Sequence, residues 1–232
     1  ALGEYDQAVT NIERAYELGR SALGADSVHT LRMAELVGRA SFLTGKYPQA
    51  ESHLKTVLDD ATARFGAVSA PALNARNTLA MLQAQTGRPA EAEAGFRAAA
   101  DGFTKLEGPD SENTLSALGS LAVTLSDQGK FEEADRVFVD ADERLTRVRG
   151  PAHPTTLSNR NNHAWSMQAR GESARAAEIG RRVFEARRRV LGPDHPDTLQ
   201  SESNLALSFR TLNRTDEALA LTERVLDANR RL

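Results

Sequence analysis

The stretch LGPDHPDTL, Leu191 to Leu199, sets two prolines, a glycine, two aspartates and a histidine within nine residues. Alone it reads two ways. Asp194, His195 and Asp197 are conceivable metal ligands, or the segment is punctuation between helices. The rest of the chain decides, because LGPDHPDTL stands in register with RGPAHPTTL, EGPDSENTL, FGAVSAPAL and LGADSVHTL. The glycine follows a helical segment, as a left-handed C-terminal cap would. The adjacent proline stops continuation, and a short polar residue (Asp197, Asn113, Thr155) falls where the next N-cap is expected. Histidine takes its place in only two copies, His153 and His195, while Ser111 stands in a third. The segment is therefore read as a helix–helix connector, with no metal site.

The register has a period of 42 residues. Glycine recurs at Gly3, Gly45, Gly87, Gly129 and Gly171, with Asn213 in the sixth place, and alanine follows five positions later each time, from Ala8 to Ala218. A second glycine series runs from Gly24 to Gly192, and a leucine series from Leu31 to Leu199. Such self-similarity marks a repeat architecture. Each repeat carries two amphipathic segments. In Thr114 to Gln128, Leu115, Leu118, Leu121, Ala122 and Leu125 fall at helical spacing; in Phe131 to Arg149, Ala134, Val137, Phe138, Ala141 and Leu145 form one stripe. Neither stripe can be buried by its own helix. Stacked neighbours bury both, which predicts an all-α solenoid of about 11 helices.

The totals narrow function more than they name it. The 232 residues are 40% hydrophobic but only 5% aromatic, so the core is expected to be alanine, leucine and valine. A net charge of −3 gives no global field for nucleic acid or an anionic membrane. Without cysteine there is no disulfide, thiolate site or cysteine nucleophile. No stretch reaches the roughly 20 apolar residues of a membrane span, and the charged N-terminus is no secretory signal. A cytoplasmic location is expected. Phosphate-loop, HExxH and GxSxG signatures are missing. Ser52 and Lys55 fit an SxxK pattern without its partner motifs. Neither an enzyme nor a cofactor is expected.

The run L-A-(x)6-G-(x)4-A, in Leu79-Ala80…Gly87…Ala92, Leu121-Ala122…Gly129…Ala134 and Leu205-Ala206…Asn213…Ala218, resembles the tetratricopeptide repeat. The 42-residue period and the GPDHPDTL connector are similar to its kinesin-light-chain type. The resemblance covers the whole chain as one solenoid domain, 1–232, with a half repeat 1–28 and repeats 29–70, 71–112, 113–154, 155–196 and 197–232. It implies a right-handed α-solenoid superhelix in which first helices line a concave groove and second helices form the convex back. It also implies close helix approach at Gly38, Ala80, Ala122, Ala164 and Ala206. A scaffold binding a protein or peptide partner in the groove is expected, as the sensor or adaptor module of a larger regulatory protein.

By the same resemblance Glu35, Leu36, Arg39, Asn77, Thr78, Met81, Gly119, Ser120, Val123, Asn161, Asn162, Trp165, Ser203, Asn204 and Leu207 face the groove. Asn77, Asn161, Asn162 and Asn204 are the preferred ligand contacts, since an amide satisfies both polar groups of a peptide backbone. Arg39 and Met81 join them. The alternative is that these amides bond across to the next helix and tie repeats together. Trp165 is either an exposed anchor or a core residue. His163 stands where other repeats have leucine or valine. The paired Lys, Asn and Arg that clamp a terminal carboxylate are not reproduced, so a chaperone-tail ligand is not expected.

Helix 173–191 carries Arg175, Arg181, Arg182, Arg187, Arg188 and Arg189 against Glu178 and Glu185. It is a candidate convex patch for an acidic or phosphate-bearing partner, or a solvated face. No aromatic residues interleave the arginines, so nucleic acid is not the expected partner. Gly180 and Thr222 replace Phe138, which predicts looser packing in the last two repeats. Neither end carries a clear polar cap, so a segment of a longer array is expected, with self-association through uncapped ends as an alternative.

Overall fold

The structure is a computed structural model and describes residues 2–24 and 27–231. Among these residues every regular element is an α-helix: α1 (Leu2–Leu23), α2 (Val28–Leu43), α3 (Tyr47–Phe65), α4 (Ala70–Gln85), α5 (Pro89–Glu107), α6 (Glu112–Asp127), α7 (Phe131–Arg149), α8 (Pro154–Ala169), α9 (Ser173–Val190), α10 (Pro196–Thr211) and α11 (Thr215–Arg231). Even-numbered helices are the first of each repeat and odd-numbered ones the second. The chain forms two compact units, Ala1–Thr124 and Leu125–Leu232, whose boundary falls inside α6.

The two glycine series do different work. Gly150 ends α7 at φ 92° and ψ 160°, a region essentially closed to residues with a Cβ. It turns the chain sharply rather than capping the helix in the left-handed helical conformation. In the short turns inside a repeat, Gly129 has φ 74° and Asn213 φ 58°. Asparagine is the residue most able to replace glycine there.

Connector caps lie two residues earlier than the sequence suggested. His153 Nδ1 accepts from Thr155 N at 3.3 Å, and His195 Nδ1 from Asp197 N at 3.1 Å. Ser111 Oγ accepts from Thr114 N at 3.1 Å. The imidazoles thus act as N-caps to backbone groups that would otherwise be orphaned. In the last three connectors the threonine before the repeated leucine closes the loop: Thr114, Thr156 and Thr198 donate to the carbonyls of Gly108, Gly150 and Gly192, each at 2.9 Å.

Within the first unit, Leu31, Ala34, Val57, Ala61, Ala72 and Ala75 form one buried cluster, and Leu73, Ala99, Ala100, Phe103 and Ala117 another. Alanine at these contacts lets backbones approach. A Cβ at Gly38 would lie 2.7 Å from Leu54 Cγ, and one at Gly95 2.8 Å from Ala80 Cβ. The second unit packs Phe184 and Ala177 against Leu205, Phe209 and Ala218. Gly180 sits beside that cluster with only Leu205 Cδ1 within 4 Å of its missing Cβ, at 3.8 Å. Where α7 places Phe138, α9 thus leaves room for a methyl group.

Candidate functional site

The first-helix face of the second unit is built by α8 and α10. Trp165, on α8, keeps 47% of its surface exposed, which settles it as a surface residue. Asn162, one turn earlier, is exposed too, and on α10 Ser203 is exposed while Asn204 and Leu207 are half-buried. Asn161 is buried, at 8% exposure. Its Oδ1 accepts from Asn204 Nδ2 at 3.3 Å, and Asn204 Oδ1 accepts from Gln200 Nε2 at 3.2 Å. A second tie between the same helices runs from Gln168 Nε2 to Thr211 Oγ1 at 2.9 Å. Asn161 and Asn204 therefore hold neighbouring first helices together, whereas Asn162 and Trp165 present free surface beside that amide chain.

Behind this face lies His163, 9% exposed. Its ring stacks on Phe138 with centroids 5.0 Å apart, and Nε2 lies 2.7 Å from Asp135 Oδ1. A histidine fits an apolar position here because one edge reaches a carboxylate that stays partly in water.

The first unit repeats the tie with different groups. Thr78 donates to buried Glu35 Oε1 at 2.7 Å. Leu36, Arg39 and Met81 are exposed, and Asn77 is half-buried with its Oδ1 unbonded. Gly119 adds no side chain to its face. Further out, Arg88 grips Glu51 through both guanidinium nitrogens at 2.9 and 2.8 Å. The Arg88 and Lys55 hydrogen bonds lower the Glu51 pKa to about 2.

The arginine run on α9 divides. Arg175, Arg181, Arg182, Arg188 and Arg189 are exposed, with Arg175 paired to Glu172 at 2.7 Å and Arg182 to Glu178 at 2.5 Å. Arg187 does not belong to that surface. It is 3% exposed, donating to Asp197 O at 2.9 Å, Ser201 Oγ at 2.8 Å and Ser158 Oγ at 2.9 Å. Burial pushes its pKa below the usual guanidinium range. Glu202, fully buried, is held by Arg224, whose own pKa burial also lowers. Among the described residues no group of three or more His, Cys, Asp or Glu side chains is placed to hold a metal ion. No described helix is long and apolar enough to cross a membrane.

Models of the tetratricopeptide repeat match residues 1–63, 71–141 and 178–231, and a second such model matches 156–197. No curated protein matches the sequence. Among solved structures, BtubC (BKLC) from P. vanneervenii superposes with a TM-score of 0.81 at 18% identity, over 98% of this chain and 91% of its own. The nearly identical TPR-like repeats of a kinesin light chain assigned to Podosopora anserina give 0.73 at 21% identity, over 87% and 95%. NprR in complex with its cognate peptide NprX gives 0.68 at 14% identity, over 96% of this chain and 63% of that one. At these identities the likeness establishes the fold.

Proposed function

The chain belongs to the tetratricopeptide repeat family, and from that premise we propose that it is an interaction scaffold whose first-helix face binds an extended segment of a partner protein. The observation that carries this reading is Trp165, 47% exposed beside Asn162 and the Asn161–Asn204–Gln200 amide chain. A large rigid side chain left half in water, next to groups able to pair with a peptide backbone, has the make-up of a binding hot spot. Two of the four amides put forward as contacts, Asn161 and Asn204, bond to each other between α8 and α10. Asn162, Trp165 and Leu207 supply the contact. In the first unit Arg39, Met81 and Asn77 play the corresponding part. NprR, on the same fold, holds its cognate peptide, which supports a peptide as the ligand class here.

A displayed-peptide selection on the purified chain tests the reading. Peptides binding at micromolar Kd, and losing at least tenfold in affinity with Trp165→Ala, are expected. Selected peptides indifferent to Trp165→Ala and Asn162→Ala together would overturn it.

A further inference from the structure

The opposite side of the second unit holds a cavity of about 620 Å³ between the second helices α7 and α9, floored by α8. It arises from two departures from the repeat. Asp142 on α7 stands where the other second helices carry Leu58, Ala100, Phe184 and Leu226. Phe184 packs into the core with Leu205 and Phe209, whereas Asp142 is turned to Arg160, which donates to both its oxygens at 2.6 and 3.0 Å. The volume an apolar side chain would take is thus left open over Leu157 and Val183, both buried. The second departure is Val139. Its counterparts are Lys55, Arg97, Arg181 and Glu223, every one charged, yet Val139 lies on the cavity wall 43% exposed.

The rim is cationic toward α9. Arg189 lines it there together with Arg182, whose ion pair with Glu178 at 2.5 Å is exposed on both sides and so open to exchange for another carboxylate. Arg160 already neutralises Asp142, and Glu143 is the carboxylate on the α7 side. An apolar floor with two guanidinium groups along one edge fits a side chain of matching polarity. We propose that this cavity is a docking site for an amphipathic segment of a partner protein, which inserts a large apolar residue over Val139 and Val183 and turns carboxylates toward Arg182 and Arg189. The site uses none of the residues of the first-helix face, so it stands independently of the function proposed above.

The test is a displayed library of helical peptides with one apolar stripe, the remaining positions randomised among acidic, basic and neutral residues, selected against the 232-residue chain. Enrichment of acid-flanked peptides with a large apolar anchor is expected. Val139→Lys, a change at an exposed position that restores the charge found in the other repeats, weakens them at least tenfold with helicity unchanged. Arg182→Glu with Arg189→Glu shifts the library preference from acidic to basic flanks, and Trp165→Ala has no effect. No enrichment from folded protein, an enriched pool without acidic bias, or binding indifferent to Val139→Lys would each overturn the proposal. So would a pool lost only with Trp165→Ala, which would at the same time favour the first-helix face.

Discussion

Asn204 donates its side-chain amide to the carbonyl of Asn161 at 3.3 Å, and Thr78 donates to Glu35 at 2.7 Å, in each case across 43 residues of sequence. The same two positions of successive first helices are therefore cross-linked in both units by unrelated chemistry. A position that keeps its partner while changing its functional group serves geometry before it serves a ligand.

The two asparagines next to one another in α8 should consequently separate in experiment. Asn161→Ala strands the Asn204 amide at a half-buried contact and costs about 1 kcal/mol of stability. Asn162→Ala and Trp165→Ala, both at exposed positions, stay within about 0.5 kcal/mol of the parent but weaken a selected peptide at least tenfold. Denaturation midpoints and peptide titrations on the same three variants check the split. A stability loss for Trp165→Ala as large as that for Asn161→Ala would place the indole in the core.

Glycine-to-alanine changes inside helices test the packing with opposite signs. At Gly180 the added methyl meets only Leu205 Cδ1, at 3.8 Å. Removing a flexible residue from the interior of α9 then stabilises by about 1 kcal/mol. At Gly95 the methyl would lie 2.8 Å from Ala80 Cβ. Forcing α4 and α5 apart costs about 1–3 kcal/mol, enough to outweigh the helix-propensity gain. Urea unfolding of the two single variants measures both.

Sequence periodicity carried the fold because each repeat states it again: the glycine at 42-residue spacing marks a positive φ at Gly45, Gly87, Gly129 and Gly171, and Asn213, in the sixth place, is the residue best suited to replace it, whereas Gly3 falls inside α1. The site was legible in part. The family resemblance put Trp165 and Asn162 on the groove side, but left Trp165 open between surface and core and could not tell whether an amide points to a ligand or to the next helix. That depends on the distance between α8 and α10. Arg187 was illegible for a related reason. In the run Arg187–Arg188–Arg189 it reads as one more solvated charge, and only the fold brings Ser158, Ser201 and the Asp197 carbonyl around it. The histidine caps were missed because imidazole is not among the usual N-cap groups.

Acid should loosen the first unit through Glu51. Its carboxyl is held at about 2 by Arg88 and Lys55, against 4.5 for the free group. A depressed carboxylate pKa contributes stability that is present above 4.5 and is lost as pH falls toward 2. Both partners of the Arg88 pair keep contact with water, with side chains 30% and 24% exposed, so the contribution is about 1 kcal/mol rather than the full value of the shift. Glu51→Gln should lower stability by that amount at neutral pH and by nothing near pH 2. Parallel unfolding curves for the variant and parent that keep a constant offset across this range would contradict the assignment.

Arg187 supplies the sharpest test of how the second unit is held. Its guanidinium donates only to neutral acceptors, with Nε unbonded, so its charge is desolvated with the attraction of the Asp197 carboxylate as a partial offset and no ion pair in contact. Truncation to alanine removes the bonds to Ser158, Ser201 and Asp197 and leaves a void, which costs about 3 kcal/mol or more. Methionine refills the volume and relieves the buried charge, and Ser201 keeps its own bond to the Asp197 carbonyl at 2.8 Å. Arg187→Met is therefore expected to recover at least half of the alanine loss. Chemical unfolding of both variants reads the difference. Equal losses for methionine and alanine would mean that the three hydrogen bonds outweigh the cost of burying the charge, and that Arg187 adds to the apolar packing of Phe184 and Ala177 in holding α9 to its neighbours.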